Sequence, residues 1–208
     1  MDETQSYVHS PVEILPLDPV KEKMLIEQAQ QGDIAAFELL IAQHQKRVYN
    51  LAWRLTNDKY QAQDIAQEAL VRVFRSIKNF RGDSSFSSWL YRIVHNAFLD
   101  DLKKSQRKYD AKHVSLDDQE GFVNATRADT QVDISEEQIL KNVVGQALAK
   151  LPLKLRISLL LYELQGFSYE EISEIEGASL PAIRSRIAKA RKVLSQDQAL
   201  QEIWLNKA

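Results

Sequence analysis

Residues 166–194 read GFSYEEISEIEGASLPAIRSRIAKARKVL, and this stretch decides the fold class. Ser168 followed three residues later by Glu171 is a capping box that starts a helix. Gly177 is placed to close that helix, and Ser179 caps another that runs to about Leu194. Two short helices joined by Gly177-Ala178-Ser179-Leu180 have the form of a helix-turn-helix. At ~100° per residue, Ile183, Ile187, Ala190 and Leu194 fall together and face a core. Arg184, Ser185, Ala188, Lys189 and Lys192 take the opposite arc. Residues 182–192 hold five basic side chains and no acid. Cations for guanine edges and phosphates, with small side chains that permit close approach, are what a major-groove helix needs.

Working outward, Gly166 stops a helix opened by Pro152, and helical pattern extends back through Lys150 to Ile139. Residues 105–138 are polar and acidic, without sustained period, and read as a flexible linker. Before them lies a second helical module, 19–104. Asp18 and Pro19 look like the cap and first position of its first helix, with Gly32 as the stop. Phe37, Leu40, Ile41, Val48, Leu51, Ala52 and Leu55 repeat with helical period. Further helices are expected from about Gln61 to Ile77 and from Phe86 to Lys104, around a loop at 79–85. Residues 1–18 read as a mobile tail, 139–196 as the helix-turn-helix domain and 197–208 as a C-terminal tail. No strand-like alternation is present. The expected fold class is all-α: two helical domains joined by a flexible linker.

Composition agrees. The 208 residues are 44% hydrophobic, with only six glycines and five prolines. No apolar run reaches the ~18 residues of a membrane span, and the acidic start is not expected to be a signal peptide. Zero cysteines exclude disulfides, a thiol nucleophile and a Cys-ligated zinc. The net charge of −2 conceals strong segregation. Residues 71–108 carry nine basic and three acidic groups, and 139–196 nine and five. Residues 105–138, which share Arg107 and Lys108 with the first of these, carry four and eight, and residues 1–70 six and eleven. Local patches, not totals, govern binding to polyanions.

The first module presents two further surfaces. On the helix from Phe86, the residues Phe86, Leu90, Ile93, Val94 and Ala97 point inward. Trp89, Arg92, Asn96 and Lys103 share an arc beside them, and the preceding loop adds Phe80, Arg81, Ser84 and Ser85. An aromatic interleaved with cations and amides suits single-stranded nucleic acid. On the preceding helix, Asp64, Gln67, Glu68, Val71 and Arg75 form a polar, mainly acidic face, while Ile65, Ala66, Ala69, Val73 and Ile77 face inward. Such a face repels DNA and can dock a basic protein surface. Asp64 and Glu68 could pair on a metal, and His44 and His95 could be ligands or bases. His44, however, falls in an apolar stripe and His95 on the polar side of its helix. No phosphate loop, nucleophile elbow or His-x-x-x-His spacing accompanies them, so catalysis, a metal and a cofactor are not expected.

These segments resemble a known family. Asp64-Ile65-Ala66-Gln67-Glu68-Ala69, followed by Phe80-Arg81-Gly82-Asp83-Ser84-Ser85-Phe86-Ser87-Ser88-Trp89-Leu90-Tyr91-Arg92-Ile93, is similar to region 2 of the extracytoplasmic-function (ECF) sigma factors of bacterial RNA polymerase. Leu151-Pro152, Gly166-Phe167-Ser168-Tyr169-Glu170-Glu171-Ile172 and Ile183-Arg184-Ser185-Arg186-Ile187 are similar to their region 4.

The resemblance implies a transcription initiation factor, of a kind that serves stress responses. It would dock on core polymerase at the largest-subunit clamp through Asp64, Gln67 and Glu68, and on the flap. It would open the −10 element with Phe80, Arg81, Ser84, Ser85, Trp89, Arg92 and Asn96. It would read the −35 element with Arg184, Ser185, Ala188, Lys189 and Lys192. It also implies an anti-sigma factor as partner and a cytoplasmic location, with tethering to a membrane only through that partner. Pro181-Ala182 departs from the Gly-Thr frequent in the family and removes a threonine hydroxyl that could reach a phosphate. The alternative is a stand-alone helix-turn-helix regulator, which leaves the Trp89 arc and the Asp64 face without purpose.

Linker length adds a constraint. A 34-residue coil spans ~30 Å on average, whereas elements some 25 base pairs apart lie ~85 Å apart. The free protein is therefore expected to bind promoters poorly until polymerase holds its modules apart.

Overall fold

The computed structural model describes residues 18–112 and 136–205, and every described element is helical. The N-terminal tail and most of the expected linker lie outside the described residues. In the first module, α1 (Pro19–Gln30), α2 (Ile34–Thr56), α3 (Lys59–Ser76) and α4 (Phe86–Lys112) pack as a bundle, with a 3₁₀ turn at Ile77–Asn79. The second comprises α5 (Glu136–Lys150), α6 (Leu153–Glu163), α7 (Tyr169–Glu176), α8 (Leu180–Ser195) and α9 (Gln198–Leu205).

Local chemistry sets most boundaries. Asp18 Oδ1 accepts from the backbone N–H groups of Val20 and Lys21, while Asp33 and Asp58 cap α2 and α3 by accepting from the N–H groups of Ala36 and Gln61. Each such cap is worth ~1 kcal/mol. The capping box is formed in full: Ser168 Oγ accepts from the Glu171 N–H while the Glu171 carboxylate accepts from the Ser168 N–H. Gly177 ends α7 at φ 60°, a left-handed conformation that costs glycine little. Ser179 occupies the N-cap of α8 but makes no side-chain cap bond there.

Two elements differ from the sequence reading. α4 continues to Lys112, eight residues beyond the expected end at Lys104, into the segment read as linker. Residues expected in a C-terminal tail form α9, which packs on α5 and is tied by Lys150 Nζ to Asp197 Oδ2 at 2.8 Å.

The sequence does not say how the two modules meet, and they pack directly against each other. α4 lies against α7, α2 touches α5 and α6, and one continuous set of buried side chains runs through both modules. Tyr91 is wholly buried at this junction, its ring edge-on to Phe167 with centroids 4.9 Å apart. Its hydroxyl donates to Gln165 Oε1 at 2.6 Å. Arg47 Nη2 donates to the Gln165 carbonyl, Arg156 Nη1 to the Leu55 carbonyl at 3.1 Å, and Ser88 Oγ to Glu171 at 3.2 Å. Gly166, at φ 77°, makes the turn that brings Gln165 and Phe167 to α4.

Candidate nucleic-acid interface

The loop between α3 and α4 and the first turns of α4 form a cavity of about 320 Å³ lined by Asn79, Phe80, Arg81, Asp83, Ser84, Trp89 and Arg92. Five of the seven expected −10 residues meet there. Ser85 and Asn96 do not line it. Ser85 instead donates to the Ser88 hydroxyl at 2.8 Å and accepts from its N–H. Asn79 and Asp83 were not anticipated, because backbone course rather than composition brings them to the rim.

Trp89 was expected at the edge of the core stripe and is 9% exposed. Its ring packs on Phe80 and Phe86 with centroids 5.2 and 5.8 Å away, and Phe86 is buried as expected. Trp89 therefore forms a fixed wall of the cavity, not a free stacking platform. Arg81 and Arg92 are exposed at its mouth. An aromatic wall beneath two cations, in a volume at the small end of ligand sites, suits one unstacked base with its phosphate.

His95 departs from the sequence reading. It is half-buried rather than on a free polar face, with Nδ1 unpartnered and its pKa held below the usual imidazole value, chiefly by burial. His44 is buried as expected, edge-on to Phe86, and burial together with the Arg47 charge lowers its pKa to about 4. A neutral, enclosed imidazole of this kind fills the core.

On α3, Asp64, Gln67 and Glu68 are exposed, and all five residues expected to face inward are buried. Val71 and Phe74, 38% and 47% exposed, add apolar surface to the same helix. Glu68 meets Arg72 at 2.8 Å, and Arg72 also meets Asp100 on α4 at 2.6 Å. The Arg72 guanidinium holds both carboxyls below their usual pKa. Asp64 and Glu68 share a face, but one of the two is engaged by an arginine.

On α8, Ile183, Ile187 and Ala190 are buried and Leu194 is partly buried, while Arg184, Ser185, Ala188, Lys189 and Lys192 are exposed. Arg186 pairs with Glu176 at 2.6 Å and Arg191 with Glu163 at 2.6 Å. Burial raises the Glu176 pKa against the pull of its Ser158 and Arg186 partners.

Comparison with known proteins finds the two modules in the same order. The family description "Sigma-70 region 2" matches residues 40–108, and "Sigma-70, region 4" matches residues 141–194. The chain is 36% identical over 187 residues to the RNA polymerase sigma-H factor of Pseudomonas aeruginosa, covering 88% of this chain and 95% of that protein. It is 33% identical to the ECF RNA polymerase sigma-E factor of Haemophilus influenzae, covering 85% and 95%. Among solved structures, the fold is similar to CnrH in complex with the cytosolic domain of CnrY, with TM-score 0.60, 24% identity and coverage of 84% and 95%. It is also similar to the sigma factor RpoE in complex with the anti-sigma factor NepR from Bartonella quintana, with TM-score 0.62, 22% identity and coverage of 82% and 99%. With both sigma regions matched in order and near-full-length relatives above 30% identity, the chain belongs to the extracytoplasmic-function sigma factors of RNA polymerase.

Proposed function

We propose that this protein directs core RNA polymerase to its promoters by docking through the Asp64–Gln67–Glu68 face, holding a flipped −10 base in the Trp89 cavity and reading the −35 element with α8. It has no catalytic step of its own. The observation that carries this reading is that one chain holds a base-sized aromatic and cationic cavity, an exposed acidic helix face and a basic recognition helix. A stand-alone regulator needs only the last of these. Phe80, Arg81, Ser84, Trp89 and Arg92 are assigned to the cavity, and Asn96 and Ser85 to its flank. Arg184, Ser185, Ala188, Lys189 and Lys192 form the major-groove face.

The packed arrangement is a resting state in this reading. The described residues, 18–112 and 136–205, form a body with a radius of gyration of ~15 Å, roughly 40 Å across. The two promoter elements are ~85 Å apart. No packed form can touch both, so the α4–α7 junction opens when polymerase takes the modules separately. An anti-sigma factor is a further proposed partner, RpoE having been solved in complex with the anti-sigma factor NepR, and we propose that it favours the packed form here. Among the described residues no helix is long and apolar enough to cross a membrane.

The test is transcription in vitro with core polymerase and this protein on a promoter library, with 5′ ends sequenced. Discrete start sites that require the protein are expected. A transcript set identical to that of core polymerase alone would refute the proposal.

A further inference from the structure

Four side chains from α6, α7 and α8 form one row on the surface of the second module. The Arg184 guanidinium lies 5.9 Å from the Tyr169 ring centroid. Tyr169 stacks on Tyr162, centroids 4.9 Å apart and planes 11° apart. The Arg191 guanidinium lies 5.0 Å from the Tyr162 ring, and Glu163 grips Arg191 Nε and Nη2 at 2.9 and 2.6 Å. The order is cation, ring, ring, cation, each cation set against an electron-rich ring face. Arg184 and Arg191 are two turns apart on α8, ~10.5 Å along its axis, and share a stripe. Ile187 and Ala188 flank that stripe, and of the two only Ala188 is exposed.

The three arginines of α8 have different fates. Arg186 and Arg191 each meet a carboxylate, Glu176 and Glu163. Among the described residues Arg184 meets a ring instead. A carboxylate orients a guanidinium but cancels the charge that DNA binding uses. An aromatic face orients it and leaves the charge intact. A flexible arginine also loses rotamer freedom on docking, and a side chain already held in place loses less.

We infer that Tyr169, backed by Tyr162, is a positioning residue for promoter reading: it holds Arg184 in one orientation on the DNA-facing side of α8 without neutralising it. The inference rests on the role proposed for α8 above. Its effect falls on discrimination at the −35 element, where a forked guanidinium must meet a base edge squarely. Tyr162 acts at one remove, so its loss has the smaller effect.

The experiment uses holoenzyme reconstituted from core polymerase and full-length protein. A −35 sequence is first selected from a randomised promoter library with the wild-type holoenzyme. Failure to select any sequence would refute the role of α8 itself, separately from the tyrosine inference. With a sequence in hand, affinity is measured for promoters with the selected and with a scrambled −35 element. Tyr169→Leu is expected to lower the ratio of the two affinities about 3–10-fold, the scale of freeing one long side chain. Tyr169→Phe, which keeps the ring face, is expected to stay within about twofold of wild type on the same scale. Thermal unfolding of each variant confirms that the module is intact. A wild-type ratio in a folded Tyr169→Leu would overturn the inference. So would an equal loss in Tyr169→Phe, which would assign the effect to the hydroxyl.

Discussion

Removing the Tyr91 hydroxyl tests whether the packed arrangement is a latch. In Tyr91→Phe the ring keeps its edge contact with Phe167, and only the 2.6 Å bond to Gln165 Oε1 is lost. Gln165 is 6% exposed, so its oxygen is left without water while the modules stay together. An unpartnered buried acceptor costs about 1–3 kcal/mol. Opening the junction lets water reach Gln165 and removes that cost. The ratio of open to packed molecules should therefore rise about 5- to 150-fold, at 1.4 kcal/mol per tenfold.

The chain has no cysteine, so Tyr60→Cys and Gln196→Cys give two unique labelling positions, both exposed, one in each module. Single-molecule energy transfer between the dyes then reports the open fraction directly. A low-transfer population should grow in Tyr91→Phe, and affinity of the isolated protein for promoter DNA should rise with it, since binding is weakened by the fraction of competent molecules. Replacing Gln165 with Leu alongside removes the stranded acceptor and should return part of the change. A folded Tyr91→Phe protein with the wild-type transfer histogram would refute the reasoning. So would a lower unfolding temperature without any low-transfer population, because the bond would then serve stability alone.

Other outcomes follow from the same structure. His44 has a folded pKa of about 4 against an ordinary value of 6.5, so the unfolded chain binds its proton first. Stability is then full above pH ~6.5 and falls as the pH drops toward 4, by about 2 kcal/mol between pH 7 and 5. Urea unfolding at the two pH values should show this loss, and His44→Leu should reduce the difference. At α8, Arg184→Ala should cost about 1–3 kcal/mol of discrimination at one −35 position, read by competition among promoter variants. Lys192→Ala should instead weaken all sequences alike and lower the salt slope by about one. Asp64→Arg reverses charge on the exposed α3 face and should weaken core polymerase binding by roughly tenfold or more, measured by titration of labelled protein. Unchanged affinity there would remove Asp64 from the docking surface.

The features legible in the sequence are those set by neighbours along the chain. Asp18, Ser168 with Glu171, and Gly177 fix helix ends through bonds or backbone angles within a few residues, and each is found where expected. The inward stripes of α3 and α8, and the charged faces opposite them, follow from helical period alone. Segregated charge likewise revealed that a chain of net −2 holds basic surfaces.

The junction between modules was not legible. α4 buries Phe86, Leu90 and Val94 in its own bundle, and also Tyr91 and Phe98, one position removed on the wheel. A helix buried on two sides has no single stripe, so its second face cannot be read from period. His95 belongs to that same blurred face. Arg47, Gln165 and Arg156 look like solvated polar residues until partners more than 100 positions away supply their acceptors and donors. The sequence by itself determined α1 to α8 and which faces of α3 and α8 are buried or charged, because caps and periodicity act locally. Only the tertiary structure decided that those faces rest on one packed body, because a buried hydroxyl, an amide and two arginines find each other only across the fold.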